Sequence, residues 1–183
     1  MALTATIYVF DINLADSDRG VYETFNLRVA RHPSESETYL VTRLMAYCLE
    51  YGEGIAFGRG LSDPDEPPIA IRDLTGQLQA WIEVGAPEAA RVHKAAKAAP
   101  RVAVYAHRDA ALLARQWAGE RIHNILRVRL VAIERDFLNA MAAKLDRRMT
   151  LDVSVSGGTL YVSTGKDTLT GTIAEVPLGE AAA

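Results

Sequence analysis

Apolar and polar residues alternate over residues 4–12 and again over 21–30. A period of two, carried by β-branched and aromatic side chains, marks strands. Between them Asp16-Ser-Asp-Arg-Gly20 is rich in turn formers, so the pair predicts an antiparallel hairpin. His32-Pro33 breaks the chain. The period then becomes helical: Leu40, Leu44, Cys48 and Tyr51 share one stripe, Val41 and Met45 widen it, and Gly52 supplies a stop. Ser34, three residues before Glu37, predicts a capping box at the start of this helix.

Further along, a short strand is expected at 55–57. A second hairpin follows, with strands 69–73 and 78–84 around Leu74-Thr75-Gly76. Residues 87–98 read as a helix opened by Pro87 and closed before Pro100. A strand at 102–105, a helix at 109–118, a strand at 125–133 and a helix at 137–145 come next. Short strands at 151–155, 160–163 and 169–173 end the series, with Ser156-Gly-Gly158 and Gly165-Lys-Asp167 as turns. Strands and helices alternate in the middle and hairpins lie at both ends. The pattern predicts an α/β (α+β) fold: one domain over 1–183, with a mixed β-sheet and flanking helices.

Composition narrows the function classes. Hydrophobic content is 49% and charged content 23%, ordinary for a globular chain. The net charge of −3 argues against broad nonspecific nucleic-acid binding, which leaves a basic footprint, but allows a local basic patch. Cys48 is the only cysteine, so no disulfide framework or cysteine-based zinc site is expected. The four histidines do not pair at metal-ligand spacing. The beginning of the chain lacks the basic and apolar regions of a signal peptide, and no run approaches the ~20 apolar residues of a membrane span. A cytoplasmic protein without membrane contact is the expectation.

Candidate chemistry concentrates in the second hairpin. A turn centred on Thr75-Gly76 places Ile69 opposite Ile82, Ala70 opposite Trp81, Ile71 opposite Ala80, Arg72 opposite Gln79 and Pro68 opposite Glu83. One face is then apolar. The other carries Arg72, Gln79, Trp81 and Glu83, either as the floor of a cleft or as a partly solvated sheet surface. Asp73 lies five positions from the residue opposite Glu83, roughly 16 Å at ~3.3 Å per residue, too far to share an ion with it. Asp65 and Glu66 lie at the Glu83 end. Strand parity favours Glu66, but Pro67 and Pro68 disturb parity and keep Asp65 in play. Two such carboxylates could hold Mg²⁺ or Mn²⁺, which would activate water against a phosphodiester. A cation is also needed where charge builds on the phosphate. Gly85, two residues after Glu83, cannot supply it. Lys94 on the following helix can fold back beside Glu83, whereas Lys97 overshoots by a turn. Arg127 and Arg129, alternating on a predicted strand, could add a phosphate-binding patch, and Trp81 could stack on a base.

These residues carry a family resemblance. Met1-Ala-Leu-Thr-Ala-Thr-Ile-Tyr, Ala30-Arg-His-Pro-Ser-Glu35, Arg59-Gly-Leu61, Asp65-Glu-Pro67 and Trp81-Ile-Glu-Val-Gly85 resemble the YaeQ family over nearly the whole chain. That family is similar in fold to PD-(D/E)xK nucleases, whose core is a helix, an acid-bearing hairpin, a second helix and a further strand. The resemblance implies a nuclease-like core over about 34–133. It makes Pro64-Asp65 the Pro-Asp element, Glu83 the second acid, Glu35 the acid of the first helix and Lys94 a migrated lysine. Two functions follow as expectations. One is a metal-dependent nuclease in which Asp65 and Glu83, helped by Glu66 or Glu35, bind the metal and Lys94 points at them. The other is an inactive nuclease-fold protein that binds nucleic acid or protein.

Overall fold

The computed structural model describes residues 4–59 and 63–179. Two segments that carry the family resemblance, Met1–Leu3 and Gly60–Leu61, lie outside the described residues. Among the described residues there are ten strands and four helices, a mixed α+β fold. The chain divides into two compact units. One runs to Leu49 and includes Ile133–Ile173; the other is Glu50–Ala132 with the segment from Ala174.

In the first unit, β1 (Thr6–Asp16) and β2 (Val21–Arg31) form the predicted hairpin, from Thr6 opposite Arg31 to Asp16 opposite Val21. On its other edge β1 pairs in parallel with β8 (Arg148–Ser156), which continues antiparallel to β9 (Thr159–Ser163) and then β10 (Thr168–Val176). β8 and β10 extend well beyond 151–155 and 169–173. For β8 the added residues are those paired with β1, from Val9 opposite Arg148 to Asp11 opposite Thr150. Such backbone pairing along a neighbouring strand extends an element past the reach of its hydrophobic alternation.

Helix α1 (Glu37–Leu49) buries Leu40, Leu44, Met45 and Cys48 as the stripe predicts. Its cap differs from the expectation. Ser36 Oγ accepts from Tyr39 N at 3.0 Å, while Ser34 Oγ is engaged by His32 Nδ1 at 2.7 Å. Ser36 therefore satisfies the helix start, and Glu37 is its first residue rather than the far side of a box. Helix α4 (Arg135–Ala143) packs against α1 and ties to it by Thr38 Oγ1 donating to Asn139 at 3.3 Å.

In the second unit the strand order is β7-β6-β5-β4-β3. β3 (Ile55–Phe57), β4 (Ile69–Arg72) and β5 (Leu78–Val84) are antiparallel neighbours. β5, β6 (Arg101–Ala106) and β7 (Val128–Ile133) are parallel. α2 (Ala89–Ala98) and α3 (Ala110–Trp117) bury Val92, Ala95, Leu113 and Trp117 against Trp81, Val104 and Leu130. Asp109 caps α3 by accepting from Leu112 N at 2.9 Å. Before β7 the expected strand gives way to a single 3-10 turn over Ile125–Arg127, entered through Asn124 in the left-handed conformation (φ 45°). No helix among the described residues is long and apolar enough to cross a membrane.

Candidate functional site

The β4–β5 register places Ile69 opposite Ile82, Ala70 opposite Trp81 and Ile71 opposite Ala80, as expected. Arg72 pairs with Leu78 instead of Gln79, because a bulge falls between Ile71 and Arg72. Both faces of β5 are covered from Ala80 onward. Trp81 is 2% exposed and Glu83 5%. The face read as a cleft floor or solvated surface is thus the underside of α2, and Trp81 presents no free ring for base stacking.

Burying Glu83 requires partners, since an isolated carboxylate in an apolar core is costly. It has two. Trp81 Nε1 donates to Glu83 Oε2 at 3.0 Å, and Arg91 Nε donates to the same oxygen at 2.7 Å. Arg91 lies in the first turns of α2, and its guanidinium sits 5.5 Å from the centre of the Trp81 ring. The same guanidinium reaches the acid-bearing loop, donating to Pro64 O at 2.7 Å and to Glu66 O at 3.2 Å. One planar cation therefore joins β5, α2 and the loop before β4. Burial pushes the Glu83 carboxyl above its ordinary range, against the opposing pull of the Trp81 hydrogen bond and the Arg91 charge.

Asp65 and Glu66 diverge. The Asp65 carboxylate is mostly solvent-exposed and is ion-paired with Lys94 Nζ, one turn beyond Arg91. Hydrogen bonding to Lys94 and its charge hold Asp65 below the usual carboxylate range. Glu66 turns away, its Oε2 accepting from Arg59 N at 3.4 Å. A close backbone approach holds this loop: a Cβ on Gly58 would stand 2.1 Å from Pro67 O. Gly85 explains the absent strand lysine. Its φ of 101° is a conformation that side-chain-bearing residues rarely adopt. The end of β5 therefore excludes a lysine on conformational grounds.

Sequence reasoning missed Arg91. The available signal was its spacing of three from Lys94, which puts both cations on one face of α2. A hard divalent ion needs several oxygen ligands with little competing positive charge. Here Glu83 and the Pro64 and Glu66 carbonyls are bound by Arg91, and Asp65 by Lys94. Among the described residues no group of three or more His, Cys, Asp or Glu is disposed to hold a metal. The arrangement does not fit Mg²⁺ or Mn²⁺ as it stands.

The family model described as YaeQ protein matches residues 1–173. The chain belongs to the YaeQ family. It is 33% identical over 170 residues to the YaeQ proteins of Escherichia coli (strain K12) and Salmonella typhi, covering 92% of this chain and 94% of each relative. The crystal structure of YaeQ protein from Pseudomonas syringae matches with a TM-score of 0.86 and 35% identity, over 96% of this chain and 97% of that one. The YaeQ structure from Xanthomonas axonopodis pv. citri matches with a TM-score of 0.86 and 30% identity, over 96% and 100%.

The remaining candidates of this YaeQ-family chain sit on other segments. Glu35 belongs to the first unit, where it is buried and bonded to Arg43 at 3.3 Å. Arg127 and Arg129 do not share a strand face, because Arg127 ends the 3-10 turn and Arg129 lies on β7. Arg129 is bound by Glu175 at 3.3 Å and lies 3.9 Å from Glu50. Glu50 anchors a second network that residue patterning alone did not reveal. It is buried, accepts from Tyr105 Oη at 2.6 Å and pairs with Arg101 at 2.7 Å. Burial and the Glu50 charge raise the Tyr105 phenol well above its ordinary value, so it is no candidate nucleophile at neutral pH.

Proposed function

We propose that the chain is a binding or regulatory module on a nuclease-like scaffold, without metal-dependent cleavage of its own. The order α1, β4–β5, α2, β6 agrees with the helix, hairpin, helix, strand order of the PD-(D/E)xK resemblance. The observation that carries the reading is Arg91. Its guanidinium binds Glu83, the second of the two acids a catalytic metal would share, together with two loop carbonyls, while Lys94 holds the first, Asp65. The acid hairpin then works as a structural hub, and its positive charge comes from the chain.

The test is a cleavage screen with purified protein, single- and double-stranded DNA and single-stranded RNA, each with Mg²⁺ or Mn²⁺. The expected result is no cleavage above that of the Glu83→Gln control. Cleavage by the wild type that Glu83→Gln abolishes would instead establish the nuclease reading, which the Lys94–Asp65 pair favours.

A further inference from the structure

At the C-terminal end of α2, away from Arg91, a cleft of about 280 Å³ opens between the helix end, the start of β6 and the turn before β7. Its size suits a small ligand rather than an extended polymer. Its polar lining is Lys97, His123, Asn124 and Arg127, and its apolar wall includes Val102 and Val128. No carboxylate lines it among the described residues, although the chain has 23 acidic and 20 basic residues.

Both cations are available. Neither Lys97 nor Arg127 makes an ion pair or side-chain hydrogen bond among the described residues. Arg91, Lys94, Arg101 and Arg129, by contrast, are ion-paired. The C-terminal end of α2 contributes roughly half a negative charge, which two full cations outweigh. The far wall is built and not merely open. His123 N donates to His93 Nδ1 at 3.1 Å, and Asn124 Nδ2 lies 3.1 Å from His123 Nε2. Asn124 is the one non-glycine residue with positive φ among the described residues, and it presents the 3-10 turn that ends in Arg127.

We infer that this cleft binds a phosphomonoester of mononucleotide size or smaller, with Lys97 and Arg127 on the phosphate and the organic part against Ala96 and Pro100, which line the same cleft. The inference is independent of whether the Arg91 hub is catalytic.

The test is calorimetric titration of the full chain with AMP, ribose 5-phosphate and adenosine, with backbone NMR shifts to locate binding. Saturable binding of at least one of the two phosphate esters is expected, with shifts at residues 96–102 and 123–128 and none from adenosine. The Lys97→Gln/Arg127→Gln variant changes exposed residues and should keep the wild-type melting temperature while binding at least about tenfold more weakly. The inference is overturned if neither ester binds up to roughly 10 mM, a range that covers weak sites. Equal binding by the variant, or shifts confined to other residues, also overturns it.

Discussion

Replacing Arg91 with Met should lower the unfolding free energy by about 3 kcal/mol at neutral pH, the lower end for breaking a buried ion pair. Methionine keeps an apolar stem over Trp81 but removes the charge and the donors to Glu83 and the two carbonyls. The lower end applies because the Arg91 side chain is 29% exposed while that of Glu83 is 6% exposed. Most of the loss comes from leaving Glu83 charged without its cation. Adding Glu83→Gln should therefore recover a large part of it, which a double-mutant cycle by urea unfolding measures. The pH dependence has a definite sign. Burial raises the folded carboxyl above its ordinary value of 4.5, so the folded state binds the proton more tightly than the unfolded chain. Stability from this group is greatest below the unfolded value and falls as pH rises through the raised folded value. Losing Arg91 raises the folded value further and widens that window. The Arg91→Met deficit should thus be smaller near pH 4.5 than at about pH 8. An equal deficit at both pH values, or no recovery with Glu83→Gln, would remove Glu83 charge as the cause.

Trp81→Ala should cost about 4 kcal/mol, within the range for deleting a buried aromatic. The ring is 2% exposed and packs in the cluster with Val92, Ala95 and Leu113. Two effects add to the cavity: Glu83 loses the indole donor, and Arg91 loses the aromatic face beneath it. Trp81→Phe separates these contributions. It restores most of the buried area and an aromatic face but not the N–H, and should cost about 2 kcal/mol, near the value of a hydrogen bond to a charged group. Chemical unfolding of the two variants decides it. If both cost the same, packing is minor and the hydrogen bond dominates. If Trp81→Ala costs under about 1 kcal/mol, as surface changes do, the ring is not part of the core.

Much of the fold was legible because hydrophobic periodicity is strong here. The β1–β2 hairpin, the α1 stripe and three of the β4–β5 pairs follow from it directly. The bulge at Arg72 did not, because it depends on side-chain hydrogen bonding in the turn. Asp73 Oδ1 accepts from Thr75 N and Gln77 N, each at 2.9 Å, and Oδ2 accepts from Gln79 Nε2 at 2.9 Å. That net ties Gln79 to the turn and lets Leu78 pair with Arg72. Ser34 was the expected cap, but His32 engages its hydroxyl and Ser36, of the same residue type, takes the role. The acids of the candidate site were legible as types, but their partners were not. Arg91 stands near the positive end of α2, where a lone helix would disfavour a cation. Only the buried Glu83 beneath it makes the position favourable, and burial of an acid on a strand end is a tertiary fact. Gly85 was read as a missing lysine; its left-handed backbone shows why the strand cannot hold one.

Arg91 holds the Glu83 carboxylate that a catalytic metal would have to share with Asp65. A crystal grown with Mn²⁺, with anomalous scattering recorded, tests this directly. The predicted result is no anomalous peak within about 2.5 Å of the Glu83 or Asp65 carboxylates, at ordinary ligand distance, with Arg91 still bonded to Glu83. A peak ligated by both carboxylates, with Arg91 turned away, would contradict it.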